Sequence, residues 1–233
     1  TRVSFDPGAT VNADQFVMEG LVPKFRTHKG RVVDPQMVMI ASDGELYGHH
    51  QPFRDKFLDY LLDGALSRTE LEKTFPALWL RDHPVEETIR IHQRSSWSCH
   101  HGVTRWMGSC ACAMNSDWKE PLRQAIEWLG DEINRLYLDI AGQYVTDPWE
   151  MRHRYIHVVH GTQTLEDLLV SFTGRQPSKT ALYELNLVLR AQFERQRMFT
   201  SCGWFFDDFD RIEPRNNVAY AAQAVWLMGK ASE

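Results

Sequence analysis

The second half of the chain has the most regular pattern of hydrophobic and polar positions. Apolar residues recur there every three or four positions, which places them on one face of an α-helix. Consecutive amphipathic helices with short connections are typical of a helical bundle. The pattern predicts five helices, over 119–141, 148–160, 165–172, 180–199 and 213–228.

Residues that cap helices support these boundaries. Asp147 and Ser178 stand immediately before predicted helices, where their side-chain oxygens can accept hydrogen bonds from free backbone N–H groups. Pro148 suits a first helical position, and Gly174 suits the end of a helix. The fold class predicted for this part is therefore mainly α.

The first part of the chain is less regular. A short apolar run at 38–41 predicts a buried strand that ends just before Asp43. Pro52 opens an amphipathic stretch that predicts a helix over 53–66. Two shorter helices are expected over 13–19 and 68–74, and regular periodicity fades between 76 and 115. Long irregular segments within folded domains are often functional.

Composition limits the classes of function. The 233 residues suffice for one large domain or two smaller ones, and 43% hydrophobic content permits a buried core. A net charge of −5 argues against a nucleic-acid partner. There is no apolar run of the ~20 residues needed to span a membrane, and no secretory signal. Four cysteines are few for a disulfide scaffold, which favours the cytoplasm.

Two carboxylates and two histidines follow the predicted strand. Asp43 at its carboxyl end is a candidate general acid/base, with Glu45, His49 and His50 close by. An ordinary turn is the alternative, because Asp-Gly pairs are common turn signals. The histidines can equally serve in local capping or packing.

Cysteines and histidines concentrate in the irregular segment. Cys99, Cys110 and Cys112 occur there with His100 and His101. Thiolates and imidazoles together suggest zinc. However, the cysteines are spaced Cys-x10-Cys-x-Cys and lack the paired C-x2–4-C arrangement of recognisable zinc sites. The spacing therefore favours buried, inert cysteines and no metal or other cofactor.

A third candidate group follows the helix at 180–199. Trp204 offers an aromatic platform beside Asp207 and Asp208, an arrangement suited to stacking on a sugar and accepting its hydroxyl hydrogen bonds. The alternative is a helix junction in which Trp204 is part of the core and the aspartates cap the last helix.

Together these segments resemble a known enzyme family. Ser42–His50 is similar to the late acid/base motif of family 57 glycoside hydrolases. Three downstream segments resemble an uncharacterised helical region that follows such barrels in one subgroup, namely 79–84, 95–106 and 200–208. The resemblance extends from about residue 10 to residue 228.

The resemblance implies a retaining α-glycosidase or α-glucan transferase built on an incomplete (β/α)7 barrel. It assigns the acid/base role to Asp43, and the residues expected to contact substrate are Glu45, His49, His50, Trp97, Trp204 and Asp207. The family's early His-Gln-Pro motif and its nucleophilic glutamate have no counterpart here. Retention requires two carboxyl groups about 5–5.5 Å apart. The chain alone is therefore expected to be inactive.

The sequence thus predicts a helical bundle that follows one or two remaining barrel strands. Its divisions are the end of the barrel, an irregular segment and the bundle, at 1–66, 67–117 and 118–233. The expected partners are the upstream barrel of the same polypeptide and an α-glucan or oligosaccharide. The alternatives are a non-catalytic carbohydrate-binding or structural module and, least favoured, a Cys/His metal protein.

Overall fold

A computed structural model describes residues 6–28, 31–32, 35–85 and 87–232 of the chain. The contacts divide the protein into two compact units, Thr1–Gln93 and Arg94–Glu233. The boundary falls inside the segment 67–117 that the sequence predicts to be irregular. The cysteine-rich part of that segment belongs to the same unit as the helical bundle. Each unit is described by itself.

The first unit consists of short helical turns and a small hairpin. Its α-helices are α1 (Ala13–Gln15), α2 (Arg54–Tyr60) and α3 (Pro76–Asp82). Wider π turns extend α1 over Phe16–Leu21 and α2 over Leu61–Ala65, and 3-10 turns lie at Pro7–Thr10, Val22–Lys24, Gly44–Leu46 and Leu66–Arg68. The strands β1 (Thr27–His28) and β2 (Arg31–Val32) pair antiparallel, with Thr27 opposite Val32.

A small core joins the first two helices of this unit. Val17 and Leu61 are 1% and 4% exposed, and the ring of Phe16 meets that of Phe57 edge-on at 5.6 Å between centroids. Apolar residues at helical spacing thus bury one face of α2. The predicted amphipathic helix over 53–66 is confirmed, with Phe53 as its N-cap.

The predicted strand at 38–41 is wrong. Residues 35–43 adopt no regular structure, and Met39 and Ile40 are 65% and 40% exposed. A strand needs neighbouring strands to pair its backbone N–H and C=O groups, and the described residues provide only the hairpin and one isolated bridge between Tyr47 and Gln51. The described residues therefore do not show a barrel remnant.

Two further local expectations differ from the structure. The helix predicted over 68–74 is absent, since the chain leaves helical geometry at Thr69. Conversely, α3 forms where the sequence predicts irregular structure. Its first residue is Pro76, whose missing N–H costs nothing in a first helical turn.

The second unit is a helical bundle preceded by a cysteine-rich loop, which confirms the predicted fold class for this part. Its α-helices are α4 (Thr104–Met107), α5 (Lys119–Ala141), α6 (Pro148–Arg154), α7 (Ile156–Val159), α8 (Leu165–Thr173), α9 (Lys179–Arg197), α10 (Cys202–Phe205) and α11 (Ile212–Ala231).

The main core of the bundle lies between α5, α9 and α11. Tyr137, Leu185, Leu189 and Leu227 are at most 1% exposed there. Burying side chains of this size contributes about 1.5–3 kcal/mol each. The stability of the bundle therefore rests on the amphipathic faces that the sequence pattern predicts.

The predicted helix caps are also present. Asp147 Oδ1 accepts from Glu150 N at 3.0 Å, and Ser178 Oγ accepts from Ala181 N at 3.1 Å. Gly174 ends α8 with a φ of +67°, a conformation that favours glycine. Among the described residues, no helix combines the length and apolar character needed to cross a bilayer.

Candidate metal centre

Two tight turns shape the cysteine loop, which comprises residues 94–118. In the first turn, Ser96 Oγ accepts a hydrogen bond from Cys99 N at 2.9 Å. Gly102 follows with a φ of +71°, and a Cβ atom there would lie only 2.5 Å from Arg94 O. The turn therefore requires glycine at this position. It directs the side chains of Cys99 and His101 toward one another.

The second turn brings two more thiols to the same place. After α4, the chain turns with Ala113 N donating to Cys110 O at 2.9 Å. The donor atoms of Cys99, His101, Cys110 and Cys112 then all lie within 4.8 Å of one another. These four residues are called the Cys/His cluster below.

The distances within the cluster approximate the edges of a tetrahedron. Cys99 Sγ lies 3.8 Å from Cys110 Sγ and 3.5 Å from Cys112 Sγ, and Cys110 Sγ lies 3.2 Å from Cys112 Sγ. His101 Nδ1 lies 3.8 Å from Cys99 Sγ and 3.3 Å from Cys110 Sγ. Four donors around Zn²⁺ with Zn–S bonds of about 2.3 Å would have S···S edges of about 3.8 Å. Small side-chain movements therefore suffice to coordinate the ion.

The cluster lies at the surface with one side sealed. Cys99 and Cys110 are 4% and 5% exposed, whereas His101 and Cys112 are exposed. Burial raises the pKa of the Cys99 thiol. Hydrogen bonds from Cys110, His101 and Cys99 lower the pKa of Cys112 to about 6.

Two basic side chains support the cluster from the helical side. Arg105 Nη1 donates to Cys112 Sγ at 3.5 Å, and Arg105 Nε donates to Phe205 O at 2.7 Å. The buried Lys119 Nζ donates to Arg105 O at 3.1 Å. Zn²⁺ held by three thiolates and one neutral imidazole would carry one excess negative charge, which these cations would offset. Burial lowers the pKa of Lys119.

Asp207 connects the loop with the junction between α10 and α11. Its Oδ1 pairs with Arg105 Nη2 at 2.7 Å, and its Oδ2 accepts from Met114 N at 3.2 Å. Its backbone carbonyl accepts from Trp118 Nε1 at 2.8 Å. The carboxylate thus makes contacts within the protein. Its predicted contact with a sugar substrate stays a prediction.

The two tryptophans predicted to contact substrate lie in different surroundings. Trp204 is 1% exposed and packs in a second core with Ile126 and Met198. Its ring lies against Trp118, at 6.3 Å between centroids. Trp97 is 55% exposed. In this structure Trp97 therefore presents ring surface to a ligand, and Trp204 does not.

The remaining predicted site residues belong to the first unit. Asp43 at the end of the 35–43 segment is exposed, and so are Glu45, His49 and His50 on the turns that follow it. His50 Nε2 lies 3.3 Å from Glu45 Oε2, and the two histidine rings are 4.9 Å apart. The structure therefore brings Glu45, His49 and His50 into contact, with Asp43 close to them in sequence, while Trp97, Trp204 and Asp207 belong to the second unit.

The Cys/His cluster differs from the expectation drawn from sequence spacing. Of the three cysteines expected to be buried and inert, Cys99 and Cys110 are buried but Cys112 is exposed, and the three thiols lie close to one imidazole. The signal that could have revealed this is a repeated separation of one residue, in Cys99-x-His101 and Cys110-x-Cys112. The supporting Lys119 carries no comparable sequence signal.

One comparison places the chain in a family. Residues 115–233, half of the chain, match the family described as Domain of unknown function (DUF3536). The chain belongs to this family. The matched range begins just after Cys112 and contains Lys119 and Asp207, which support the cluster. No curated protein matches the chain, and no solved structure matches it.

Proposed function

We propose that the second unit is a zinc-binding helical module in which the Cys/His cluster holds one structural Zn²⁺. The observation that carries this proposal is the convergence of three thiols and one imidazole within 4.8 Å. Cys3His is a common donor set of structural zinc sites. Thiolate ligands favour zinc over magnesium, calcium or manganese, which prefer oxygen. Four protein donors complete a tetrahedron and leave no position for a catalytic water.

The proposed ion holds together a loop that has little other regular structure. Zinc would join Cys99 and His101 of the first turn to Cys110 and Cys112 of the second. The loop is already attached to the helices through Arg105 and Lys119. Coordination would thus fix Trp106 against Phe205, with ring centroids 5.7 Å apart. The function supported by this geometry is structural.

Metal content of purified variants tests the proposal. Cys110→Ser removes a buried donor, and we expect zinc affinity to fall by more than about 100-fold, because even the loss of an outer-shell partner costs about 10- to 100-fold. The matched control is Cys202→Ser, since Cys202 is an exposed thiol outside the cluster. Elemental analysis after dialysis should find one zinc per chain in wild type and Cys202→Ser.

Two results would contradict the proposal. One is a wild-type protein that retains no zinc after reduction and exposure to one equivalent. The other is a Cys110→Ser variant that binds zinc as tightly as the Cys202→Ser control. Either result would mean that Cys99, Cys110 and Cys112 do not bind zinc and only pack within the protein, as their spacing in the sequence predicts.

For the first unit we propose a role in a longer enzyme, as the C-terminal portion of a retaining α-glycosidase or α-glucan transferase of the family 57 type. The resemblance of Ser42–His50 to the acid/base motif, in which Asp43 supplies the carboxylate, supports this. Among the described residues, no hydrogen bond or ion pair engages that carboxylate. An upstream barrel of the same polypeptide would supply the nucleophile, α-glucans would be the substrates, and the cytoplasm would be the location.

Asp43→Asn in the longer polypeptide tests this role. We expect the rate of α-glucan turnover to fall about 10²- to 10⁴-fold, the usual contribution of a general acid/base. Asp59→Asn is the matched control, because Asp59 is an exposed aspartate on α2. Near wild-type turnover by Asp43→Asn, measured with maltooligosaccharides, would refute the acid/base assignment.

A further inference from the structure

We propose that Cys112 is an oxidation site that regulates the zinc centre, at which a peroxide converts two of the coordinating thiolates to a disulfide and releases the ion. This regulation rests on the proposed zinc binding and adds a control to it. Three features of the cluster support it. They are the exposure of Cys112, the closeness of its sulfur to two others, and the small number of donors that the reaction leaves.

Cys112 is the exposed thiol of the Cys/His cluster. By contrast, Cys99 and Cys110 are only 4% and 5% exposed. Oxidation of a cysteine requires both thiolate character and access of the oxidant. Because zinc ligands must be deprotonated, coordination makes all three sulfurs thiolates, and access then decides which of them reacts first. The oxidant therefore reaches Cys112 before the two buried cysteines.

Two further thiols lie close enough to Cys112 to complete the reaction. Cys112 Sγ is 3.2 Å from Cys110 Sγ and 3.5 Å from Cys99 Sγ. A disulfide bond is about 2.0 Å long, so either sulfur has to approach by only about 1.2–1.5 Å. Arg105 Nη1 donates to Cys112 Sγ and to Cys112 O, at 3.5 Å each. These contacts hold Cys112 beside its two possible partners.

The reaction has two steps. The Cys112 thiolate attacks one oxygen of hydrogen peroxide, the O–O bond breaks, and Cys112 becomes a sulfenic acid while hydroxide leaves. The thiolate of Cys99 or Cys110 then attacks the Cys112 sulfur, the S–O bond breaks, and a second hydroxide leaves. The two sulfurs together lose two electrons, which the peroxide gains. Both hydroxides take protons from solvent and become water.

The disulfide leaves too few donors to hold the ion. His101 and one thiolate remain, whereas structural zinc sites use four protein ligands. Zn²⁺ therefore dissociates, and the loop loses the metal link between its two turns. A dithiol reduces the disulfide by exchange and restores the four donors. The cysteine loop would thus lose its zinc under oxidising conditions and regain it on reduction.

Zinc release from the zinc-loaded 233-residue chain tests this regulation. The chain is freed of reductant and treated with a small molar excess of hydrogen peroxide, while a chromophoric zinc indicator follows the free ion. We expect stoichiometric release of zinc. Peptide mapping by mass spectrometry should then find a disulfide that joins Cys112 to Cys99 or to Cys110. Treatment with dithiothreitol should restore zinc binding.

The two exposed thiols of the chain provide a variant and its matched control. Cys112→His changes the donor set to two thiolates and two imidazoles, which still suits structural zinc, and removes the exposed thiol of the cluster. We expect peroxide to release zinc from this variant at least about tenfold more slowly, because only the two buried thiols remain. Cys202→Ser removes an exposed thiol outside the cluster and should release zinc at the wild-type rate.

Dimedone trapping provides a second measurement that needs no variant. Dimedone reacts with sulfenic acids, and mass spectrometry locates the label in wild-type protein during exposure to peroxide. The label should appear on Cys112 ahead of Cys99 and Cys110, because Cys112 is the exposed thiol. This measurement decides the matter if Cys112→His does not fold or does not load zinc.

The proposal is overturned if wild-type protein keeps its zinc in peroxide, or if the dimedone label and the disulfide exclude Cys112. It is equally overturned if zinc-loaded Cys112→His releases the ion as fast as wild type. Elemental analysis before the addition of peroxide separates this failure from the failure of zinc binding. A chain that loads no zinc contradicts both proposals, whereas a loaded chain that resists peroxide contradicts only the regulation.

Discussion

Removal of zinc from the second unit is expected to lower its free energy of unfolding by at least about 3 kcal/mol. Structural zinc contributes about 10–16 kcal/mol of apparent binding free energy in isolated zinc-finger peptides, of which a protein with its own helical core would lose only part. For a protein of this size, about 3 kcal/mol corresponds to a fall in Tm of about 6–12 °C. Thermal denaturation with and without a strong chelator measures the effect.

The change should be local. The core that contains Tyr137, Leu185 and Leu189 belongs to the helices, so most helical circular dichroism should persist in the metal-free protein. Trp106 and Trp118 pack at the cysteine loop, and their fluorescence should change when the loop opens. Cys202→Ser serves as the control and should show the same response to chelator as wild type. A Tm that is identical with and without chelator would argue against a structural ion.

Replacement of Trp204 by alanine is expected to destabilise the second unit by about 3–5 kcal/mol, the usual cost of removing a buried large aromatic side chain. Trp204 is 1% exposed and packs with Ile126, Met198 and Trp118. The guanidinium of Arg123 lies 5.2 Å from its ring centroid and would lose that contact too. Chemical denaturation followed by far-ultraviolet circular dichroism measures the difference.

Trp97→Ala is the matched control for this experiment. Because Trp97 is 55% exposed, its replacement should change stability by no more than about 0.5 kcal/mol. Equal destabilisation by the two variants would mean that Trp204 is not the core residue described here. A marginal effect of Trp204→Ala would instead support an accessible ring, as the predicted sugar contact requires.

Local patterns predicted the helices well because their causes are local. The boundaries of α5, Lys119–Ala141, coincide with the predicted 119–141, and the Ser178 and Asp147 caps form as expected. Periodic burial and capping depend on residues a few positions apart. The apolar run at 38–41 has no such local determinant, because a strand is stabilised by partners from elsewhere in the chain.

The Cys/His cluster depends on contacts that a spacing rule does not contain. Known zinc patterns rely on pairs separated by two to four residues, whereas both pairs here are separated by one. The positive φ of Gly102 allows the tight turn that holds Cys99 and His101 close to each other. Arg105 then connects the loop to Asp207, about a hundred positions away in the sequence. Closure of the cluster is therefore a property of the fold.

X-ray absorption spectroscopy at the zinc edge of the zinc-loaded 233-residue chain tests the central claim most directly. The account predicts three sulfur ligands at about 2.3 Å and one nitrogen ligand at about 2.0–2.1 Å. A spectrum with only oxygen and nitrogen ligands, or with fewer than three sulfurs, would contradict coordination by Cys99, His101, Cys110 and Cys112.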